Sequence, residues 1–217
     1  MDQQNQPIPF LVPGPAADCS VGIAIAHFKH PLQDVIQEAR AAQKRAKNQL
    51  GRSAVAVTLL KRSGETIEWG CQWGSGGLEA YTKMMEAVQN HVVSAKFPYR
   101  IVELVDGYQT GQAEALGSMS PADGFDQVVL QIVDMEIATA ADRQRGPAYD
   151  PEAAQELRSV VLAYLKHPRL RTTQDKVQAL IGLCQTVAFI ARSLPESSSA
   201  ISDQKSETQQ PAERQLV

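Results

Sequence analysis

The stretch that most limits what this chain can become runs from Cys19 to Trp73. It opens with the apolar run Cys19–Ala26, in which Val21, Ile23 and Ile25 are β-branched. A run so short and so nearly all apolar reads as a strand buried on both faces. Pro31 comes next, placed for the first turn of a helix. Leu32, Val35, Ile36, Ala39 and then Ala42 or Gln43 recur at helical spacing, which predicts a helix with that face on a sheet. The helix is expected to stop near Leu50, with Gly51 at its end. Ala54–Lys61 and Thr66–Trp73 read as two more strands, joined by the turn Arg62-Ser63-Gly64-Glu65 into a hairpin. The order is strand, helix, strand, strand: a βαββ unit.

Beyond Trp73 the pattern turns helical. Gly70, Gly74, Gly76 and Gly77 mark a loop. Leu78–Ala95 reads as a helix with Leu78, Tyr81, Met84 or Met85, Val88 and Val92 inward. Tyr99–Val105 fits either state, 107–124 reads as a polar linker, and Asp126–Ala141 is helical. After a break at 144–150 come helices over Glu152–Lys166 and Gln174–Ser193, joined by a turn at His167-Pro168. Residues 1–18, rich in Pro and Gln, form an irregular lead-in. Residues 195–217 are poor in apolar side chains and read as a disordered tail. The expected organisation is therefore lead-in 1–18, a βαββ domain over 19–76, a helical domain over 77–194, and the tail.

Composition removes several classes. A net charge of −3 argues against coating nucleic acid by bulk charge, so any nucleotide contact must be local. Cys19, Cys71 and Cys184 are odd in number and far apart, which disfavours a disulfide framework or zinc site and fits a reducing compartment. The first residues lack the basic and apolar regions of a signal peptide, and no apolar run approaches membrane-spanning length. A cytoplasmic protein without membrane contact is expected.

Arg40, Lys44 and Lys47 form one stripe of the first helix, and Arg52 lies just past its end. Cations near a helix C-terminus are favourable in themselves, so a solvated basic face and a phosphate site both fit, and spacing leaves the choice open. His27 and His30 have the spacing of a metal pair but no carboxylate or cysteine nearby, so His27 reads as a polar anchor of the strand–helix loop. Cys71 reads as a small hydrophobe in a strand. Trp69 and Trp73, four apart on one strand face, offer base stacking or packing, and packing is the commoner use. The loop 74–77 lacks the lysine of a P-loop. Lys166, Arg169, Arg171 and Lys176 could touch RNA or a neighbouring subunit, with a solvated face as the default reading.

Ser20-Val-Gly-Ile-Ala, a helix ending Ala46-Lys47, and Gly51-Arg52-Ser53 together resemble the end of a nucleotide-cyclase palm of the GGDEF type. The chain departs by one extra residue before Gly51, and by Arg40 where such cyclases carry aspartate. Ala26-His27-Phe28-Lys29-His30-Pro31-Leu32, Lys44-Arg45-Ala46-Lys47 and Leu59-Leu60-Lys61-Arg62-Ser63-Gly64-Glu65 are similar to the second palm of the large subunit of type III-B CRISPR effector (Cmr) complexes. That similarity covers roughly residues 18–73; the later helices match by order and character alone.

The resemblance implies an α+β fold: a partial ferredoxin-like, palm-type βαββ unit followed by an all-helical domain. In that family two palms convert ATP to cyclic oligoadenylate when target RNA is bound, by two-metal nucleotidyl transfer. The carboxylates come from a Gly-Gly-Asp-Asp hairpin that precedes the Ser-x-Gly-Ile strand. No Gly-Gly-Asp-Asp occurs here, and Asp34, Asp106, Asp123, Asp126, Asp134 and Asp142 are scattered. The resemblance thus predicts a C-terminal fragment with no catalytic residue or metal site of its own. Ser20, Lys44, Lys47 and Arg52 would be its nucleotide-binding residues. ATP and a divalent metal would enter only in the assembled complex. Its partners would be the other Cmr subunits and the N-terminal part of the large subunit, with guide and target RNA met indirectly. Two readings stay open beside it: a non-catalytic interaction module and an inactive remnant.

Overall fold

The computed structural model describes residues 18–106, 124–143 and 150–193. The expected lead-in, the linker over 107–124, the break at 144–150 and the tail lie essentially outside these residues. Among the described residues there are three strands and six helices, divided into two compact units, one ending at Leu78 and the other beginning at Glu79.

The first unit is the predicted βαββ: β1 (Val21–Ala26), α1 (Leu32–Asn48), β2 (Ala54–Leu60) and β3 (Thr66–Gln72). Sheet order is β1-β2-β3, with β1 parallel and β3 antiparallel to β2. A parallel pair needs a crossover, which α1 supplies. The hairpin closes where Gly64 turns left-handed (φ 86°) and Lys61 N donates to the Glu65 carbonyl at 2.9 Å.

A row of small residues decides how α1 sits. Gly22, Ala56 and Gly70 are lateral neighbours across the three strands. Above them lie Ala42 and Ala46, fully buried with Ala54 and Ala56, and Leu50 packs on this cluster. A Cβ at Gly22 would stand 2.2 Å from Gln43 N and 2.4 Å from the Ala39 carbonyl oxygen, so α1 rests directly on β1.

Two expectations fail here. β1 is not buried on both faces: it is an edge strand of the described sheet, and Ile23, pointing away from α1, is 40% exposed. On α1, Leu32 (71%) and Ile36 (43%) are exposed although their spacing marked them as inward. On the stripe Leu32–Ile36–Ala39–Gln43 the backbone of Ala39 and Gln43 meets β1 at Gly22, while Leu32 and Ile36 stay exposed. Ala42 and Ala46, on the stripe facing β2, are the residues that become buried.

The second unit holds α2 (Gly77–Gln89), α3 (Phe97–Asp106), α4 (Gly124–Arg143), α5 (Pro151–Leu165) and α6 (Thr173–Ser193). α2 stops well before Ala95, because His91 takes a left-handed conformation (φ 58°) and Val93 N turns back to the Ala87 carbonyl at 3.1 Å. Tyr99–Val105 is helix, started by Phe97-Pro98 with proline in the first turn. Asp150 caps α5 by accepting from Glu152 N and Ala153 N at 3.0 and 3.1 Å. Thr172 and Asp175 cap α6 reciprocally, each side chain accepting the other's backbone N–H at 3.0 Å. Phe97, Ile101, Ile137, Leu157, Leu180 and Leu183 anchor the core. Buried Glu136 is held by Arg100 at 2.6 Å, and Arg158 clamps Asp134, holding that carboxyl below the usual range mainly by hydrogen bonding. None of the described helices is long and apolar enough to cross a membrane.

Candidate functional site

Because α1 returns from the end of β1 to the start of β2, its C-terminus arrives where both parallel strands begin. Ser20 immediately precedes β1, Ser53 immediately precedes β2, and Trp73 comes directly after β3. Lys47 lies in the last turn of α1 and Arg52 in the loop after it. Crossover topology thus gathers Ser20, Lys47 and Arg52 at one end of the sheet. Lys44 sits about one helical turn back and Arg40 another turn beyond.

The loop at this end is strained. Gly51 (φ 78°), Arg52 (φ 66°) and Ser53 (φ 47°) are consecutively left-handed. For the two non-glycine residues that conformation costs about 1 kcal/mol or more each and persists only where surroundings enforce it. Here they do. Arg52 N donates to the Ala46 carbonyl at 3.1 Å and Trp73 N to the Ser53 carbonyl at 3.0 Å. Gln72 Nε2 donates to the Arg52 carbonyl at 3.2 Å. The Trp73 indole Nε1 donates to the Cys19 carbonyl at 2.7 Å, tying the entry of β1 to the exit of β3.

Arg40, Lys44, Lys47 and Arg52 are exposed and form no ion pair among the described residues. Together they outweigh the roughly half negative charge of the helix terminus, leaving this end cationic. Arg45 is different, and sequence spacing did not single it out. It leans over the sheet, donating to Glu68 at 2.5 Å, to the Val57 carbonyl at 2.8 Å and to Thr58 Oγ1 at 3.1 Å. Its position three after Ala42 and one before Ala46, the buried stripe, was the available signal. Arg45→Ala is expected to cost about 2–3 kcal/mol, since buried acceptors lose their donor. Lys44→Ala should stay within about 0.5 kcal/mol. Urea denaturation monitored by tryptophan fluorescence checks both.

The other candidates take structural places. His27 Nδ1 accepts from Lys29 N at 3.2 Å and His30 N donates to the His27 carbonyl at 2.8 Å, as expected of a loop anchor. Cys71 is buried, and burial raises its thiol to about 11, opposed by hydrogen bonds from Ser75 and Leu78. Trp69 is buried at 5% exposure while Trp73 is 41% exposed, so the two indoles do not share one environment. Among the described residues no three His, Cys, Asp or Glu side chains gather as a metal site would require.

What fold and site define together is a βαββ unit with a cationic, conformationally strained end, joined to helices. Comparison with known proteins gives that description a relative. The chain is 28% identical over 178 residues to the CRISPR system Cmr subunit Cmr2 of Pyrococcus furiosus, an alignment covering 80% of this chain. The same alignment covers 18% of that relative, so the chain spans under a fifth of its length. No protein-family model matches the chain.

Proposed function

We propose that this chain serves in type III-B CRISPR antiviral defence as a C-terminal part of the RNA-guided effector's large subunit. It contributes the phosphate-facing side of a nucleotide-binding palm and a helical region for subunit docking. The observation that carries this reading is that Lys47, Arg52 and Ser20 all lie at one strained, hydrogen-bonded end of the sheet. Unpaired cations beside hydroxyl donors suit a triphosphate, Arg by its planar fork and Lys as a point charge. The similarity to Cmr2 supplies the context.

On this reading Lys47 meets the phosphates most directly, Arg52 and Ser20 flank it, and Lys44 adds field from one turn away. The carboxylates and divalent metal for nucleotidyl transfer come from the upstream part of the large subunit. Firm binding of ATP with its metal, and turnover, belong to the assembly; the isolated chain keeps at most weak contact with the phosphates. Docking occurs inside the cell, without a membrane, alongside the other Cmr subunits and their RNA. A second reading, an interaction module without a nucleotide role, draws on β1 standing at the edge of the described sheet.

Purification of the tagged chain from its own cells, with protein mass spectrometry and RNA sequencing, tests the assembly. A Gly-Gly-Asp-Asp-bearing partner with guide RNA is the expected result; the bare chain on chaperones would leave an inactive remnant. Lys47→Ala separates the two readings. It should lower nucleotide output of the assembled complex at least tenfold, a loss of about 1.4 kcal/mol or more, with subunit recovery unchanged. Unchanged output favours the interaction module.

A further inference from the structure

Trp73 is not used by the phosphate reading, and its surroundings are unusual for an exposed tryptophan. Its backbone N–H is fixed to Ser53 and its indole N–H to Cys19, so the ring is held at two points while 41% of the residue stays exposed. A rigid, half-open indole costs little entropy on binding a flat partner. The next residue, Gly74, is not left-handed, and a Cβ there would meet nothing within 4 Å. Neither backbone geometry nor packing requires glycine at that position. Beyond it, Ser75 Oγ donates to the Gln72 carbonyl at 2.8 Å and accepts from Gly77 N at 3.3 Å, which fastens the turn.

The residues that hold Trp73 adjoin the anion-binding candidates in sequence. Its backbone contact, Ser53, is next in sequence to Arg52; its indole contact, Cys19, precedes Ser20. From these juxtapositions we infer that Trp73 is a stacking platform for the base of a nucleotide whose phosphates lie toward Arg52 and Lys47. The inference rests on the phosphate-site reading and adds to it the group that recognises the base. Stacking accepts any nucleobase face, so Trp73 supplies affinity rather than choice of base.

Trp69 and Trp73 are the two tryptophans of the chain, which makes the test direct. In 1H–15N spectra of the full chain their indole signals are assigned with Trp69→Phe and Trp73→Phe and tracked during titration with ATP and with tripolyphosphate. ATP is expected to shift the Trp73 indole and the amides of 47–53, leaving the Trp69 indole in place; tripolyphosphate should shift those amides only. Trp73→Leu should weaken ATP binding about tenfold and leave tripolyphosphate binding unchanged, while Trp73→Phe, which keeps a ring, retains most of the affinity. If ATP and tripolyphosphate act alike and the Trp73 indole never moves, the platform is overturned and the phosphate site stands. If neither moves any signal in residues 20–73, both readings fall.

Discussion

Gly22→Ala is expected to abolish the folded state of the first unit. The added methyl would lie 2.2 Å from Gln43 N, 2.4 Å from the Ala39 carbonyl oxygen and 2.7 Å from Gln43 Cα. All three are backbone atoms of a helix, so no rotamer change relieves the contact. Overpacking a core usually costs about 1–3 kcal/mol, and a clash with helix backbone belongs at or beyond the top of that range. Relief requires lifting α1 from β1, which opens the Ala42–Ala46–Ala54–Ala56 cluster beneath it. The measurement is tryptophan fluorescence against urea, because both indoles lie in this unit and the helical unit contributes none. The expected outcome is a midpoint shifted to low urea or no transition at all. Gly74→Ala is the control: its Cβ meets open space, and stability should move by no more than about 0.5 kcal/mol. Native-like unfolding of Gly22→Ala would show that α1 does not rest on β1 as described. It would also recast the glycine of the Ser-x-Gly-Ile stretch, which here serves helix packing and not phosphate approach.

That glycine marks what a sequence can and cannot show. The order strand, helix, hairpin and nearly all its boundaries were legible, because short β-branched runs, helical spacing and Gly51 or Gly64 punctuate them. The role of Gly22 was not, since close approach depends on which residues stand opposite. Periodicity put Leu32 and Ile36 on one face with Ala39, correctly, but it carries no information on how wide the sheet below is. α2 ended early without a glycine or proline to announce it, because His91 supplied the left-handed turn. Of the site, the nearness of Lys47 and Arg52 came from chain proximity. The strain at Arg52 and Ser53, and the contact of Trp73 with Cys19, depend on strand register and on residues 54 apart, which no local pattern encodes.

Ile23→Lys is expected to separate folding from assembly. β1 carries no charge, proline or bulge, the usual guards of an exposed edge strand. Among the described residues no strand pairs with its outer edge. Leu32 and Ile36 on α1 are exposed on the helix that packs on β1, and Ile23 is exposed on the opposite face of the strand. Covering these three partly exposed side chains would contribute on the order of a few kcal/mol, since fully burying such a residue gains about 1.5–3 kcal/mol. Under the proposed function the covering strand belongs to the upstream part of the large subunit. Without it, the wild-type chain should self-associate in a concentration-dependent way in sedimentation velocity. A lysine at position 23, on an exposed site facing away from α1, should leave the urea midpoint within about 1 kcal/mol of wild type. It should also render the chain monomeric and weaken recovery of the completing partner more than tenfold. Partner recovery unaffected by Ile23→Lys, with the chain monomeric throughout, would remove the edge from the assembly and move docking to the helical unit. Loss of both self-association and partner by one surface charge, with stability kept, would identify β1 as the seam along which the sheet is completed.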